Sequence, residues 1–171
     1  MRYWLMKTEP SVFSWADLLA LPNQTTAWEG VRNYQARNFM RDDMRKGDRV
    51  LFYHSVVHPP AIMGTAIVAR EAYPDSFAFE PSSPYYDAKS SPDNPRWVMV
   101  DLQAETAFTS PIPLAELKQT PGLEEMVLLQ KGSRLSVQPV TPQQWQIICG
   151  LRPSSIASAN MSHRIGKENE P

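Results

Sequence analysis

Prolines cut this chain into short pieces, and no fold that needs long uninterrupted elements can be built from it. Sixteen of them are spread over 171 residues. Each lacks a backbone donor and fixes φ, so it ends helices and keeps to the margins of strands. Glu9-Pro10 closes an opening strand at residues 2–7, and Pro22-Asn23 closes a helix that starts at Ser14 and reaches Leu19. His58-Pro59-Pro60 breaks a strand running from Arg49 to Ser55. Pro74, Pro81, Pro84, Pro92 and Pro95 leave residues 74–95 without a helical period, which predicts a long ordered loop or lid.

The pieces between these breaks have readable local signals. Ser14 is a candidate N-cap, with Asp17 in the first turn where the helix dipole favours negative charge. A helix is predicted from Asn33 to Met44, with Ala36, Met40 and Met44 forming a buried stripe. Strands are predicted over Ala61–Arg70, where Gly64 permits a close approach or a bulge, and over Trp97–Leu102. Short helices follow at Pro113–Lys118 and Leu123–Leu129, then a strand at Leu135–Val140. Thr141-Pro142 caps and opens a last helix to Ile148. Short strands mixed with short helices, without a βαβ rhythm, predict an α+β fold: a small mixed β-barrel flanked by helices. The tail from Pro153 is rich in Ser, Ala and charge and is expected to be disordered.

Composition narrows the function classes. The 42% hydrophobic share suits a globular chain, and no apolar run is long enough to span a membrane. The single cysteine, Cys149, cannot form an internal disulfide, which points to a reducing compartment: the cytoplasm, or the nucleus in a eukaryote. A net charge of −1 argues against gripping nucleic acid by electrostatics alone. Six bases face three acids over residues 32–49, whereas seven acids face two bases over residues 71–105. This asymmetry predicts one face that attracts phosphate and another that repels it.

Catalytic and metal motifs are missing. There is no Gly-rich phosphate loop, Cys-x-x-Cys pair or His-Glu-x-x-His helix. His54 and His58 are followed at once by two prolines and have no neighbouring carboxylate to complete a metal set. Cys149 shares an apolar helix face with Trp145 and Ile148 and reads as core. No cofactor is implied.

The segment from Trp28 to Asn38 is of another kind. It combines an indole, a phenol, amides and arginines, the parts of a site that stacks on a flat ring and hydrogen-bonds its edge. Trp28 is either a plug for the barrel end or a stacking wall. Asn33 is either a helix cap or a ligand-reading amide. Tyr34, Arg37 and Arg41 form either a solvated face, paired with Asp42 and Asp48, or a phosphate-contacting ridge. Alternation separates Val50, Phe52 and His54 from Leu51, Tyr53 and Ser55, and one of these sets is expected to face the core. Ser55 ends its strand, with its hydroxyl free for a ligand or a turn. Lys7 alternates with Tyr3 and Leu5, and Tyr85-Tyr86 lies in the long loop, where one ring is expected to pack inward.

Five stretches together resemble the EVE domain family of the PUA-like superfamily: Trp4–Pro10, Trp28–Asn38, Lys46–Ser55, Tyr85–Asp87 and Pro95–Asp101. The similarity covers residues 2–150 and places an EVE domain at 1–151, with the tail at 152–171 outside it. The resemblance implies a PUA-like barrel of five to six strands, related to the YTH, PUA and ASCH modules. It also implies a non-enzymatic module that binds a modified base in DNA or RNA, with methylated or oxidised cytosine as the ligand. By residue matching, the implied pocket gathers Lys7, Trp28, Asn33, Tyr34, Arg37, Ser55, Tyr85, Tyr86 and Asp87, with Trp28 as a cage wall. Thr8 stands where the family commonly has serine, and the run Asp75–Glu80 departs from the usual pattern in a way that bears on the pocket rim. The rival expectations are an enzyme acting on a nucleotide or nucleoside, and an RNA-binding module indifferent to modification.

Overall fold

The computed structural model describes residues 1–153, so the expected disordered tail lies, from residue 154, outside the described residues. One mixed sheet of six strands organises the fold, in the order β2-β5-β4-β3-β1-β6. The strands are β1 (Tyr3–Thr8), β2 (Thr25–Ala27), β3 (Arg49–His54), β4 (Ala61–Pro74), β5 (Val98–Pro113) and β6 (Val137–Val140). β1 and β3 run parallel, Tyr3 opposite Arg49 through Thr8 opposite His54, and the other pairs are antiparallel. The helices are α1 (Trp15–Ala20), α2 (Tyr34–Asn38), α3 (Leu114–Gln119) and α4 (Pro142–Gly150). This is an α+β fold of the PUA-like type. No helix among the described residues is long and apolar enough to cross a membrane.

Helix starts follow the local chemistry. Ser14 and Asp17 form a reciprocal capping box at α1, and Thr141 and Gln144 form another at α4 with Pro142 in the first turn. The predicted Asn33–Met44 helix has its cap at Asn33, but α2 ends at Asn38. A π-turn, Phe39–Asp43, then closes with a bond from the Met44 amide to the Phe39 carbonyl. Ala36, Met40 and Met44 are still fully buried, so the apolar stripe survives the change of helix type.

The strands depart further from expectation. β4 continues past Arg70 to Pro74, and β5 continues past Leu102 to Pro113. Register shifts interrupt their pairing near Ile62, Thr65, Val68 and Arg70, and each shift breaks the alternation by which sequence marks a strand. At Gly64 the bulge and the close approach coincide. A β-carbon there would strike the Thr106 carbonyl and lie 2.7 Å from the Trp15 ring. The predicted helix at 123–129 is only a 3₁₀ turn over Val127–Leu129. Leu123, Met126 and Leu128 are all buried, at spacings of three and two that one α-helical face cannot supply.

Both faces of the sheet are buried, so the expectation that only one set of alternating β3 residues faces the core is corrected. Trp4, Met6, Val50 and Phe52 meet Leu18 of α1 and Ala36 of α2 in one core. Leu5, Leu51 and Tyr53 meet Leu117 of α3 and Trp145 and Ile148 of α4 in another. Helices cover each face, and a strand covered on both sides is apolar at every position.

His54 ties α1 to β3. Its Nε2 accepts the Trp15 amide N–H at 3.0 Å, and burial holds its pKa below the ordinary value of 6.5. Between the lowered folded-state value and 6.5 the unfolded chain binds more protons, so stability rises with pH in that window. Stability should be complete above it and lost as pH falls through it. Urea unfolding at about pH 7.5 and about pH 5.5 should show the drop. A His54→Gln variant, whose amide oxygen can still accept the bond, should flatten it; equal midpoints in the wild type would contradict the role.

Candidate nucleic-acid interface

A cavity of about 610 Å³ opens between the end of β1, the segment after β2 and the β4–β5 loop. Its size lies within the range of small-molecule sites, roughly 300–1,000 Å³. Phe13, Trp28 and Tyr85 give it rings, and Lys7, Glu29 and Asn33 give it polar groups.

Trp28 packs as a plug and borders the cavity. It is 7% exposed, edge-on to Phe13 at 6.3 Å and to Phe52 at 5.6 Å, and its backbone N–H donates to the Val100 carbonyl. Its ring belongs to the core and presents only a margin to the cavity. Asn33 takes the cap role and also stands at the cavity. Its Oδ1 accepts the Ala36 amide at 2.9 Å as the α2 cap, while the residue lines the cavity.

Lys7, half-buried at the end of β1, has its pKa lowered by desolvation. Glu29 stands at the rim, where desolvation foremost raises its carboxyl pKa; a bond from its own backbone opposes this and the Asp75 charge adds to it. Lys7 and Glu29 thus share the opening with Glu9 and Arg32, giving donors and acceptors for a ring's polar edge.

Asp75 builds the rim from beneath. Fully buried, it accepts the Gly30 amide at 3.0 Å, the Phe77 amide at 3.0 Å and the Arg32 guanidinium at 2.8 Å. Arg32 also donates to the Tyr85 carbonyl through Nη2 at 2.7 Å and Nε at 3.1 Å. The tryptophan segment and the proline-rich loop are thereby locked together, and Tyr85 lies over Gly30. Gly30 has φ +83°, and a β-carbon there would stand 2.6 Å from the Tyr85 ring.

Of the nine residues singled out from sequence, Lys7, Trp28, Asn33 and Tyr85 line this cavity. The other five stand elsewhere. Tyr34 is 53% exposed and stacks on Trp97, and Arg37 lies over the Tyr34 ring and donates to Asn38 and the Arg96 carbonyl. The helix turns both away from the cavity. The Ser55 hydroxyl turns back to the Thr8 carbonyl. Tyr86 is exposed, so of the adjacent tyrosines it is Tyr85 that packs inward. Asp87 accepts the Trp97 indole N–H at 2.7 Å, a bond that foremost holds its carboxyl pKa below the ordinary range. Arg41, the third residue of the expected ridge, forks onto its neighbour Asp42. Sequence reasoning missed Phe13, Glu29, Gly30 and Arg32. Gly30 stood next to Trp28 with the one usable signal, a glycine in an irregular segment.

A mixed sheet flanked by short helices, with a ring-lined cavity beside its parallel strand pair, is of the PUA-like class. The EVE domain family matches residues 2–151, and the chain belongs to that family. Human thymocyte nuclear protein 1 is 45% identical over 166 residues, covering 87% of this chain and 73% of that protein. A crystal structure of a Pseudomonas putida protein is 50% identical with a TM-score of 0.84, covering 88% of this chain and 99% of that one. The crystal structure of human THYN1 protein in complex with 5-methylcytosine-containing DNA is 43% identical with a TM-score of 0.82, covering 88% of this chain and 97% of that one.

Proposed function

We propose that this protein is a non-enzymatic reader that binds a modified base, methylated or oxidised cytosine, of a nucleic acid in the cavity between Trp28 and Tyr85. The observation that carries the reading is the likeness, at 43% identity over 88% of this chain, to a relative crystallised with 5-methylcytosine-containing DNA. The cavity's chemistry supports it. Cytosine offers an amino donor at N4, which a carboxylate such as Glu29 can accept, and ring acceptors that Lys7 or the Asn33 amide can serve. A buried methyl adds about 0.8 kcal/mol, or roughly fourfold in affinity. A base within a duplex must first leave the stack at a cost of a few kcal/mol, so single-stranded or weakened sites bind best.

Turnover has little support. The His54 Nε2 is occupied by the Trp15 amide, and the Asp87 carboxylate by an indole and the Lys89 amide. Cys149 packs beside the second core, where burial pushes its thiol up to about 11.

The test is titration of labelled oligonucleotides that differ in one 5-methyl group, with wild type and a Gly30→Ala variant. Wild type should prefer the methylated strand about fourfold. The variant, with Tyr85 forced into the cavity, should lose that preference while melting as a folded protein. Equal wild-type affinity for the two strands would overturn the reading; if that binding were also steeply salt-dependent, it would favour generic nucleic-acid binding.

A further inference from the structure

From the cavity outward, rings and guanidinium groups form a continuous series that ends at the surface. Tyr85 is a cavity wall. The Arg32 guanidinium carbon lies 5.7 Å from the Tyr85 ring centre and 5.5 Å from that of Trp97. Trp97 stacks on Tyr34 with centroids 4.9 Å apart and planes at 28°. Arg37 follows, 4.7 Å from the Tyr34 ring centre and 5.8 Å from Trp97. Arg96 reaches the Tyr34 hydroxyl at 3.4 Å. The ladder therefore runs from a buried wall to a ring that is 53% exposed.

The charges along it are unequal. Arg32 is paired with Asp75, and three more of its donors are taken by backbone carbonyls. Arg37 and Arg96 differ, since their side chains hydrogen-bond only to neutral groups among the described residues: the Asn38 amide, the Arg96 carbonyl and the Tyr34 hydroxyl. Asp42 and Asp87 act on Arg37 and Arg96 only through space: Asp42 is forked by Arg41, and Asp87 accepts the Trp97 indole and the Lys89 amide. Two guanidinium groups outside any ion pair, one of them over a ring, offer charge-assisted donors to an anion.

We propose that this ladder is the track for the sugar–phosphate backbone flanking the base in the cavity, with Arg37 and Arg96 contacting a phosphate and Tyr34 the adjoining sugar. The proposal rests on the nucleic-acid reading above and extends it. Continuity with the cavity wall selects a polyanionic strand as occupant, because one end of that strand is then already placed in the cavity. It also gives Tyr34 and Arg37 a task in the same recognition event, although they stand outside the pocket. Contacts to phosphate position a strand without reading its sequence, so the track supplies affinity and register while the cavity supplies selectivity.

The experiment compares wild type with an Arg37→Gln/Arg96→Gln double variant. Three oligonucleotides are titrated, alike except for a 5-methylcytosine, an unmodified cytosine or an abasic position at the centre, each at several salt concentrations. The double variant should bind all three about tenfold more weakly. Its slope of log affinity against log salt should be shallower by about 1 to 2, as expected when one or two phosphate contacts are lost. The preference for the methylated strand should persist. An Arg37→Lys variant, which keeps the charge, should recover most of the salt slope, and melting curves check folding throughout.

Unchanged affinity and slope in the double variant would overturn the track, as would a loss confined to the methylated strand. Failure of the underlying reading looks different. A wild type that binds all three strands alike, with the arginine variants still weakened, would support the track and remove base selectivity. A wild type that binds none would remove both.

Discussion

Replacing Trp28 by alanine should lower the melting temperature by about 6 to 20 °C, because removing a buried tryptophan costs roughly 3–5 kcal/mol in a domain of this size. The residue is only 7% exposed, and its ring closes a cluster with Phe13 and Phe52. Loss of binding in that variant would not separate recognition from folding. Trp28→Phe makes the separation. It keeps a ring edge-on to Phe52 and should hold the melting temperature within a few degrees, while affinity for a methylated oligonucleotide falls about five- to tenfold through lost stacking area. Titration and thermal melting of the same samples read both effects. Wild-type affinity in Trp28→Phe would remove the indole from the recognition surface.

Asp75→Asn should have a comparable effect on stability, by a different route. Asp75 is fully buried and gathers two amides and the Arg32 guanidinium. Asparagine brings donors where donors already converge, and it leaves Arg32 without its counter-charge. Removing one partner of such a pair costs about 3–5 kcal/mol. The loop carrying Tyr85 is joined to the tryptophan segment chiefly through this pair. Hydrogen exchange should therefore quicken over residues 76–96, and urea unfolding should show the global loss. An exchange pattern like that of the wild type would mean that the loop is held by its other contacts.

The buried Asp75 also marks where sequence reasoning stops. The caps Ser14 and Thr141 were legible because each acts within four residues, and local hydrogen bonding needs no tertiary context. Trp28 was legible as a wall candidate because a large ring beside a glycine in an irregular segment has few uses. Arg32 and Asp75 are 43 residues apart, and nothing local joins them. The lengths of β4 and β5 were hidden for a related reason. Their bulges scramble alternation, and much of β5 is only partly buried, so hydrophobic periodicity carries no signal there.

Tyr34 and Arg37 are the instructive pair. Helical spacing from the Asn33 cap correctly put them on one face, but spacing within a helix says nothing about what that face meets. The structure aims it at Trp97 instead of Trp28. Lys7 is the reverse case: its strand parity was known, and its place at the cavity follows from the end of β1 running out beside the tryptophan segment.

By itself the sequence determined the family, the α+β class, the helix caps and the rings available for recognition. These depend on residue identity and on neighbours within a few positions. Only the tertiary structure decided which rings share a cavity, that both sheet faces are covered, and that two arginines stand outside any described ion pair beside an exposed tyrosine. Those outcomes rest on packing between segments that bulges, caps and one buried ion pair bring together across 40 to 60 residues.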